Sequence, residues 1–150
     1  MTKKSKVKVP FKFVGISTEE FATFEKNYIS GKNSFDIRYE IDVSTSPSNK
    51  AVGVFISFSF DQNSLPVLVL KCGCHFQLEE SYWFKHIEHN ELTLPNGLLT
   101  HLLVLTVGTA RGVIHAKKPK WMPDVFLPTV DVSNMITDDM QFDLTTEEEE

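Results

Sequence analysis

Apolar and polar side chains alternate along four segments in the first half of the chain. The second segment is the most regular, with an apolar row of Phe35, Ile37, Tyr39, Ile41 and Val43. The residues between them form a charged row of Asp36, Arg38, Glu40 and Asp42. Alternation with period two is typical of a strand with one buried and one solvated face. Residues 7–13, 51–60 and 68–79 show the same pattern, so the sequence predicts a four-stranded antiparallel sheet.

Turn-forming residues separate the last three of these strands. Residues 44–50 and 61–64 are rich in Ser, Asn, Asp and Pro, which favours an antiparallel meander of strands two to four. After the first strand, the Ser, Thr and Glu residues of 17–21 match the cap of a helix. We therefore predict a short helix there, followed by a crossover that contains Gly31.

The period changes after residue 97. Residues 98–116 carry leucines, valines and other apolar residues at helical spacing, which predicts one helix of about 28 Å. Gly108 and Gly112 lower helix propensity by roughly 1 kcal/mol each, a cost that close packing of another element would explain, and a contact between subunits is one candidate. Leu102, Leu105 and Gly108 are the predicted oligomer contacts.

The chain after this helix divides into an extended segment, a second helix and a tail. Residues 126–132 contain Pro128, which disfavours helix at the preceding residue. Residues 133–144 carry Met135, Ile136, Met140 and Leu144 and predict a shorter C-terminal helix. Residues 1–144 then form a single domain, and residues 145–150 a disordered acidic tail.

Charge and composition narrow the classes of function. Residues 1–118 carry fourteen Lys/Arg against eleven Asp/Glu, whereas residues 119–150 carry one Lys against nine acids. A pI near 5.5 argues against nucleic-acid binding. The basic N-terminus lacks the apolar run of a signal peptide, and no uninterrupted apolar run reaches membrane-span length. We therefore expect a cytoplasmic protein that does not insert into membranes.

Candidate chemistry is sparse. Cys72, Cys74 and His75 contain zinc-binding groups, but in one strand the thiols face one side and the imidazole the other. We predict no metal site. His101 and His115 of the long helix lack a local nucleophile motif, so we expect no enzyme and no cofactor.

Several short motifs resemble the SecB family of export chaperones. They comprise Pro95-Asn96-Gly97-Leu98, Ala110-Arg111-Gly112, Leu127-Pro128-Thr129-Val130-Asp131-Val132 and Lys71-Cys72-Gly73-Cys74-His75-Phe76. They occur in the family's order and at similar spacing, and the resemblance spans residues 7–136. It implies the α+β class: a four-stranded antiparallel sheet, one long helix and a shorter C-terminal helix, assembled as a homotetramer, a dimer of dimers.

The resemblance also implies an ATP-independent holdase that binds unfolded polypeptides in aromatic-lined grooves. SecB-like chaperones serve protein export or act beside toxin–antitoxin pairs, so the SecA translocation motor and an antitoxin are the alternative partners. Aromatic and large apolar residues in the irregular connections are the candidate client contacts, although a place in the core or at a subunit interface also explains them. These residues are Phe21, Phe24, Tyr28, Ile29, Tyr82, Trp83, Phe84, Trp121 and Phe126.

Two other function classes stay open at this point. A small-ligand carrier or enzyme would enclose the aromatic residues in a pocket under a curved sheet. A structural oligomer adaptor would need neither a pocket nor a groove.

Overall fold

The computed structural model describes residues 9–124 and 132–145. The larger of its two sheets consists of β1 (Phe11–Thr23), β2 (Asp36–Ser46), β3 (Ala51–Gln62) and β4 (Leu65–Leu78). A short helix, α1 (Glu80–Lys85), follows this sheet, and a long helix, α2, spans Asn96–Lys117. The smaller sheet consists of β5 (Ile87–Glu88), β6 (Glu91–Leu94) and β7 (Met140–Asp143).

The larger sheet is antiparallel with the strand order β1-β4-β3-β2. Strands β2, β3 and β4 form the predicted meander. The chain crosses the end of the sheet between β1 and β2, so that β1 pairs with β4. Strands β1 and β2 are consequently the two edges of the sheet.

The face of this sheet that packs against α2, here called the inner face, forms the main hydrophobic core. Its central residues are almost completely buried: Val52, Val54, Ile56, Phe58 and Phe60 on β3, and Leu68, Leu70, Cys72, Cys74 and Phe76 on β4. Helix α2 packs over these two strands and buries Leu99, Leu102, Leu103, Val107 and Ala110. The predicted α+β class, with a four-stranded antiparallel sheet and one long helix, is confirmed.

Helix α2 is also long and apolar enough to cross a membrane by length and composition, with a mean hydropathy of 1.5. A core helix has the same properties, and α2 places eight buried side chains against the rest of the chain. The hydrogen bond from Cys74 Sγ to Thr109 Oγ1, 3.4 Å long, joins the helix to the centre of β4.

The single helix is narrower than the sheet beneath it. An α-helix with its side chains is about 10–12 Å across, whereas four strands span roughly 19 Å. Apolar side chains of the inner face therefore stay exposed on both edge strands. Phe13 and Ile16 on β1 are 40% and 58% exposed, and Tyr39 on β2 is 48% exposed.

The short helix predicted for residues 17–21 is wrong, because these residues belong to β1. The sheet supplies the reason: β4 has a free edge here, and β1 pairs with it as far as Thr23. Glu19, which resembled a capping residue, instead approaches Lys71 of β4, with Oε2 3.5 Å from Nζ. Register shifts on either side of Val14 and Glu19 also interrupted the alternation that would have indicated a strand.

The predicted C-terminal helix at residues 133–144 is also wrong. A single 3₁₀ turn at Val132–Asn134 is followed by β7, which pairs with β6. The alternation of Met140 and Phe142 with Gln141 and Asp143 fits the edge of β6, and pairing with that edge outweighs the helical spacing. The predicted extended segment lies almost entirely at residues 125–131, outside the described residues.

The opposite, outer face of the sheet contains one tightly packed aromatic ring. Phe55 of β3 lies against Gly73, its neighbour on β4, and also close to Gly53. His75 packs edge-on against this ring at 5.5 Å between centroids. A side chain at position 73 would overlap the Phe55 ring, so the glycine is required by a close approach.

We predict that Gly73→Ala lowers the free energy of unfolding by about 1–3 kcal/mol, because the added methyl group displaces the Phe55 ring. Urea unfolding measures the change. In the background of Phe55→Ala, the same substitution should cost much less. Gly97→Ala is the matched control, since space around Gly97 is open. An unchanged stability of Gly73→Ala would contradict the packing described here.

Candidate functional site

The connection between β1 and β2 is held against the end of the β3–β4 hairpin by polar contacts. Gln62 of β3 is 1% exposed. Its Oε1 accepts a hydrogen bond from the Ile29 backbone N–H at 2.8 Å, and its Nε2 donates to the carbonyl oxygens of Lys32 and Ser34. One buried amide therefore fixes the connection at three points.

A charged pair beside Gln62 joins the start of β2 to the end of β3. Arg38 Nε donates to Asp61 Oδ2 at 2.6 Å, and Ser59 Oγ donates to Asp61 Oδ1 at 2.6 Å. Burial acts to raise the pKa of Asp61, but the hydrogen bonds from Arg38 and Ser59 offset it and hold that pKa below its usual range. The Asp61 carboxylate is therefore ionised near neutral pH. The stability that its hydrogen bonds with Arg38 and Ser59 contribute is lost as pH falls through the lowered pKa of Asp61.

Aromatic side chains meet at the same end of the sheet, on the inner side. The rings of Tyr28, in the connection, and Trp121, which follows α2, lie 5.6 Å apart. Lys117, the last residue of α2, places Nζ 5.7 Å from the centre of the Phe21 ring. We call Phe21, Tyr28 and Trp121 the aromatic cluster. All three side chains are half-buried, so part of each ring faces solvent.

Two further predicted client contacts flank this cluster. Phe24 is half-buried and follows β1, where its backbone N–H donates to the Val67 carbonyl oxygen. Ile29 is 37% exposed. The structure therefore brings five of the nine candidates to one end of the sheet.

Three other candidates lie at the opposite end. Tyr82, Trp83 and Phe84 belong to α1, which begins after β4 has run eight residues beyond the partner of Phe21, or about 26 Å. Trp83 is 2% exposed and part of the core, whereas Phe84 is 57% exposed with Lys50 Nζ 5.6 Å from its ring centre. The ninth candidate, Phe126, lies outside the described residues. The client contacts themselves stay a prediction.

The predicted oligomer contacts differ in their accessibility. Leu102 is completely buried within its own chain, Leu105 is half-buried, and Gly108 is exposed. Val104, one turn before Gly108 on the same side of α2, is 49% exposed. Space is open around both Gly108 and Gly112. The assignment to an oligomer interface stays a prediction.

The cysteines and His75 occupy the faces that strand geometry predicts. Cys72 and Cys74 are buried free thiols on the inner face, and burial, with the charge of Cys74, raises the pKa of Cys72 to about 11. On the outer face, Nε2 of His75 lies 3.1 Å from Ser17 Oγ. Within residues 9–124 and 132–145, no three His, Cys, Asp or Glu side chains are grouped as metal ligands.

Two shallow depressions, of about 510 and 410 Å³, lie on the outer face. Both share Glu40 and Ser57, and the larger also contains Arg38 and Glu20. Their open, largely polar lining differs from the closed aromatic pocket that a small-ligand carrier would use.

Residues of the edge strands were missed as candidates from the sequence. Phe13 and Tyr39 belong to apolar rows that predicted buried strand faces, and Ile16 lies beyond the predicted first strand, yet these three are exposed. Their position on an edge strand depends on which strands pair, and alternation alone does not reveal it. A signal was nevertheless present, because four strands with apolar faces and only one long helix leave part of those faces uncovered.

We predict that Gln62→Leu loosens the connection and lowers the free energy of unfolding by about 1–3 kcal/mol, because three backbone groups lose their partner. Hydrogen exchange at the Ile29 amide should accelerate. Gln77→Leu provides the control, since Gln77 is exposed and its side chain donates to the Asn49 carbonyl oxygen as its one described hydrogen bond. Equal exchange at Ile29 in both variants would disprove the anchoring role of Gln62.

Comparisons with known proteins place the chain near few others. It matches no protein-family model and no curated protein. Among solved structures it is similar to a SecB-like chaperone of Mycobacterium tuberculosis, in complex with a peptide from an antitoxin. The two share 11% sequence identity over 81% of this chain and 88% of that chain, with a TM-score of 0.48. Similarity at this level assigns no client, partner or assembly to the present protein.

Proposed function

We propose that this protein is an ATP-independent holdase chaperone that binds unfolded polypeptides. The observation that carries the proposal is the exposed apolar surface left by a helix narrower than its sheet. Large apolar side chains are exposed on both edge strands and on the outer side of α2. A surface of this kind marks an interaction site in a folded protein, and the SecB-like motifs of the sequence agree with that use.

The aromatic cluster is the proposed main contact for clients. Tyr28 and Trp121 present large aromatic rings, which can bury apolar area against side chains of many kinds. Such rings are enriched among the residues that contribute most of the binding energy at protein interfaces. The cluster lies at the same end of the sheet as the start of β2, whose free edge offers main-chain hydrogen bonds to an extended segment. Aromatic rings that contact client side chains, together with a strand edge that bonds to the client main chain, suit clients of many sequences.

The wider setting of this activity belongs to the same proposal. We place the protein in the cytoplasm, as a homotetramer built from two dimers, and without nucleic-acid partners. Protein export with the SecA motor and service beside an antitoxin are its two alternative roles. Both rest on the sequence resemblance alone.

The test is suppression of aggregation of a refolding client at stoichiometric amounts without ATP. We expect Trp121→Ala and Tyr28→Ala to weaken client binding about tenfold, or about 1.4 kcal/mol, because each removes a ring of the aromatic cluster. Phe84→Ala is the comparison variant, since it removes another predicted client contact, an exposed ring about 26 Å away. Trp83 stays in place as a fluorescence reporter of the folded core.

Two results would contradict the proposal. A wild-type protein that never delays aggregation is not a holdase, and a small ligand would then be the next candidate. Equal losses for Phe84→Ala and the two cluster variants would mean that clients bind exposed apolar surface in general and not the aromatic cluster.

For the assembly, we predict that wild-type protein sized by light scattering is a tetramer and that Gly108→Leu reduces its mass. The leucine side chain extends into space that a close-packed neighbouring helix would occupy. Gly97→Leu, at the first turn of the same helix, should leave the mass unchanged. A monomeric wild type, or a tetramer that tolerates both substitutions, would refute the contact at Gly108.

A further inference from the structure

Strand β2 is a long, regular edge. Its eleven residues pair with β3 without a register shift, and among the described residues nothing pairs with its other side. The opposite edge differs, because β1 has irregular register on either side of Val14 and Glu19. Bulges twist an edge strand and hinder the addition of another strand. Strand addition is therefore favoured at β2.

The two faces of β2 have opposite chemistry. The inner row consists of Ile37, Tyr39, Ile41 and Val43, which are half-buried except for the exposed Tyr39. The outer row consists of Asp36, Arg38, Glu40 and Asp42, all exposed. A strand added beside β2 would have one row of side chains next to each of these.

The outer row is effectively acidic. Arg38 is ion-paired with Asp61 at 2.6 Å. Asp61 is the main cause of the raised pKa of Arg38, and Glu40 contributes least. Asp36, Glu40 and Asp42 form no ion pair within 4 Å among the described residues. The positive charge in this row is thus largely balanced from β3, while the carboxylates lie on the outer face, where side chains of an added strand would lie beside them.

We propose that β2 binds, as a fifth strand, extended client segments in which basic and apolar residues alternate. This proposal rests on the holdase function and specifies the clients it favours. Lysine or arginine at every second position lies beside Glu40 and Asp42, and the apolar residues between them lie beside Tyr39 and Ile41. An acidic segment would place like charges side by side, and an uninterrupted apolar segment would leave half its side chains on the solvated face.

The experiment uses the full chain and fluorescent synthetic peptides in an anisotropy titration. One peptide alternates Lys and Ile over eight residues, the second has the same composition in two blocks, and the third alternates Glu and Ile. We expect the first to bind at least about tenfold more tightly than either of the others, with affinity that falls as salt is raised. Methylation of alternate backbone nitrogens along one edge of the first peptide should abolish its binding, because the main-chain hydrogen bonds are lost.

Charge reversal tests the location. The variant E40K/D42K should lose the preference for the Lys/Ile peptide and gain one for the Glu/Ile peptide. The variant E88K/E91K has the same net charge, and it changes an exposed, paired site in the smaller sheet, so it should behave as wild type.

The possible results separate this proposal from the holdase function. If the protein suppresses aggregation but binds alternating and block peptides equally, the β2 proposal is overturned and the holdase function stands. Hydrogen exchange that is already slow along β2 without peptide, together with self-association, would mean that a second copy occupies the edge, and would also overturn it. If no peptide binds and aggregation proceeds unchecked, both proposals fall.

Discussion

A sheet of four strands has one apolar face, and a single helix lies along its centre. Because α2 covers β3 and β4, their side chains form a closed core in which Phe60, Phe76 and Leu102 are fully buried. The outermost strands contribute apolar rows to the same face, but no element of comparable size covers them among the described residues. Side chains at the centre of the inner face thus stabilise the fold, whereas those at its margins form exposed apolar surface. A substitution at the margin should therefore change the exposed surface with little effect on the core.

The crossover between the two edge strands depends on this arrangement. It passes the end of the β3–β4 hairpin, where the buried side-chain amide of Gln62 adds hydrogen bonds to the hydrophobic contacts of Tyr28 and Phe35. Asp61, its neighbour in the chain, engages Arg38 of β2. The connection, the aromatic cluster and the start of β2 therefore lie at the same end of the sheet. The aromatic rings and the free backbone edge of β2 are the two surfaces proposed to bind clients.

Much of this fold was predictable from the periodicity of apolar residues alone. The apolar rows of β2, β3 and β4 indicated strands, and the leucines after Gly97 indicated α2. The second half of β1 was missed because Ser17, Thr18 and Glu19 resemble a helix start. These residues form a strand instead because they pair with the otherwise free edge of β4. The last strand was missed for a similar reason, since Met140 and Leu144 fit a helical stripe, whereas Met140 and Phe142 form a strand face only with β6 as a partner.

The candidate site was predictable in part. Local sequence identified Tyr28 and Trp121 as aromatic residues outside regular strands, but it grouped them with Tyr82 and Trp83 at the far end of the sheet. Which residues share a surface depends on strand order, and strand order depends on contacts between distant parts of the chain. For the same reason the exposure of Tyr39 became visible only when β2 proved to be an edge.

The start of α2 depends on residues that follow it by some forty positions. The backbone N–H of Asn96 donates to Asp139 Oδ1 at 2.8 Å, and the Asn96 side chain donates to the Thr137 carbonyl oxygen at 3.1 Å. Strand β6, immediately before the helix, acquires β7 from the same region. During synthesis on the ribosome, therefore, the helix that shields the core has neither its cap nor a fully paired neighbouring strand until residues 137–143 have emerged. A protein proposed to protect unfinished chains would pass through its own synthesis with this end of its core secured last.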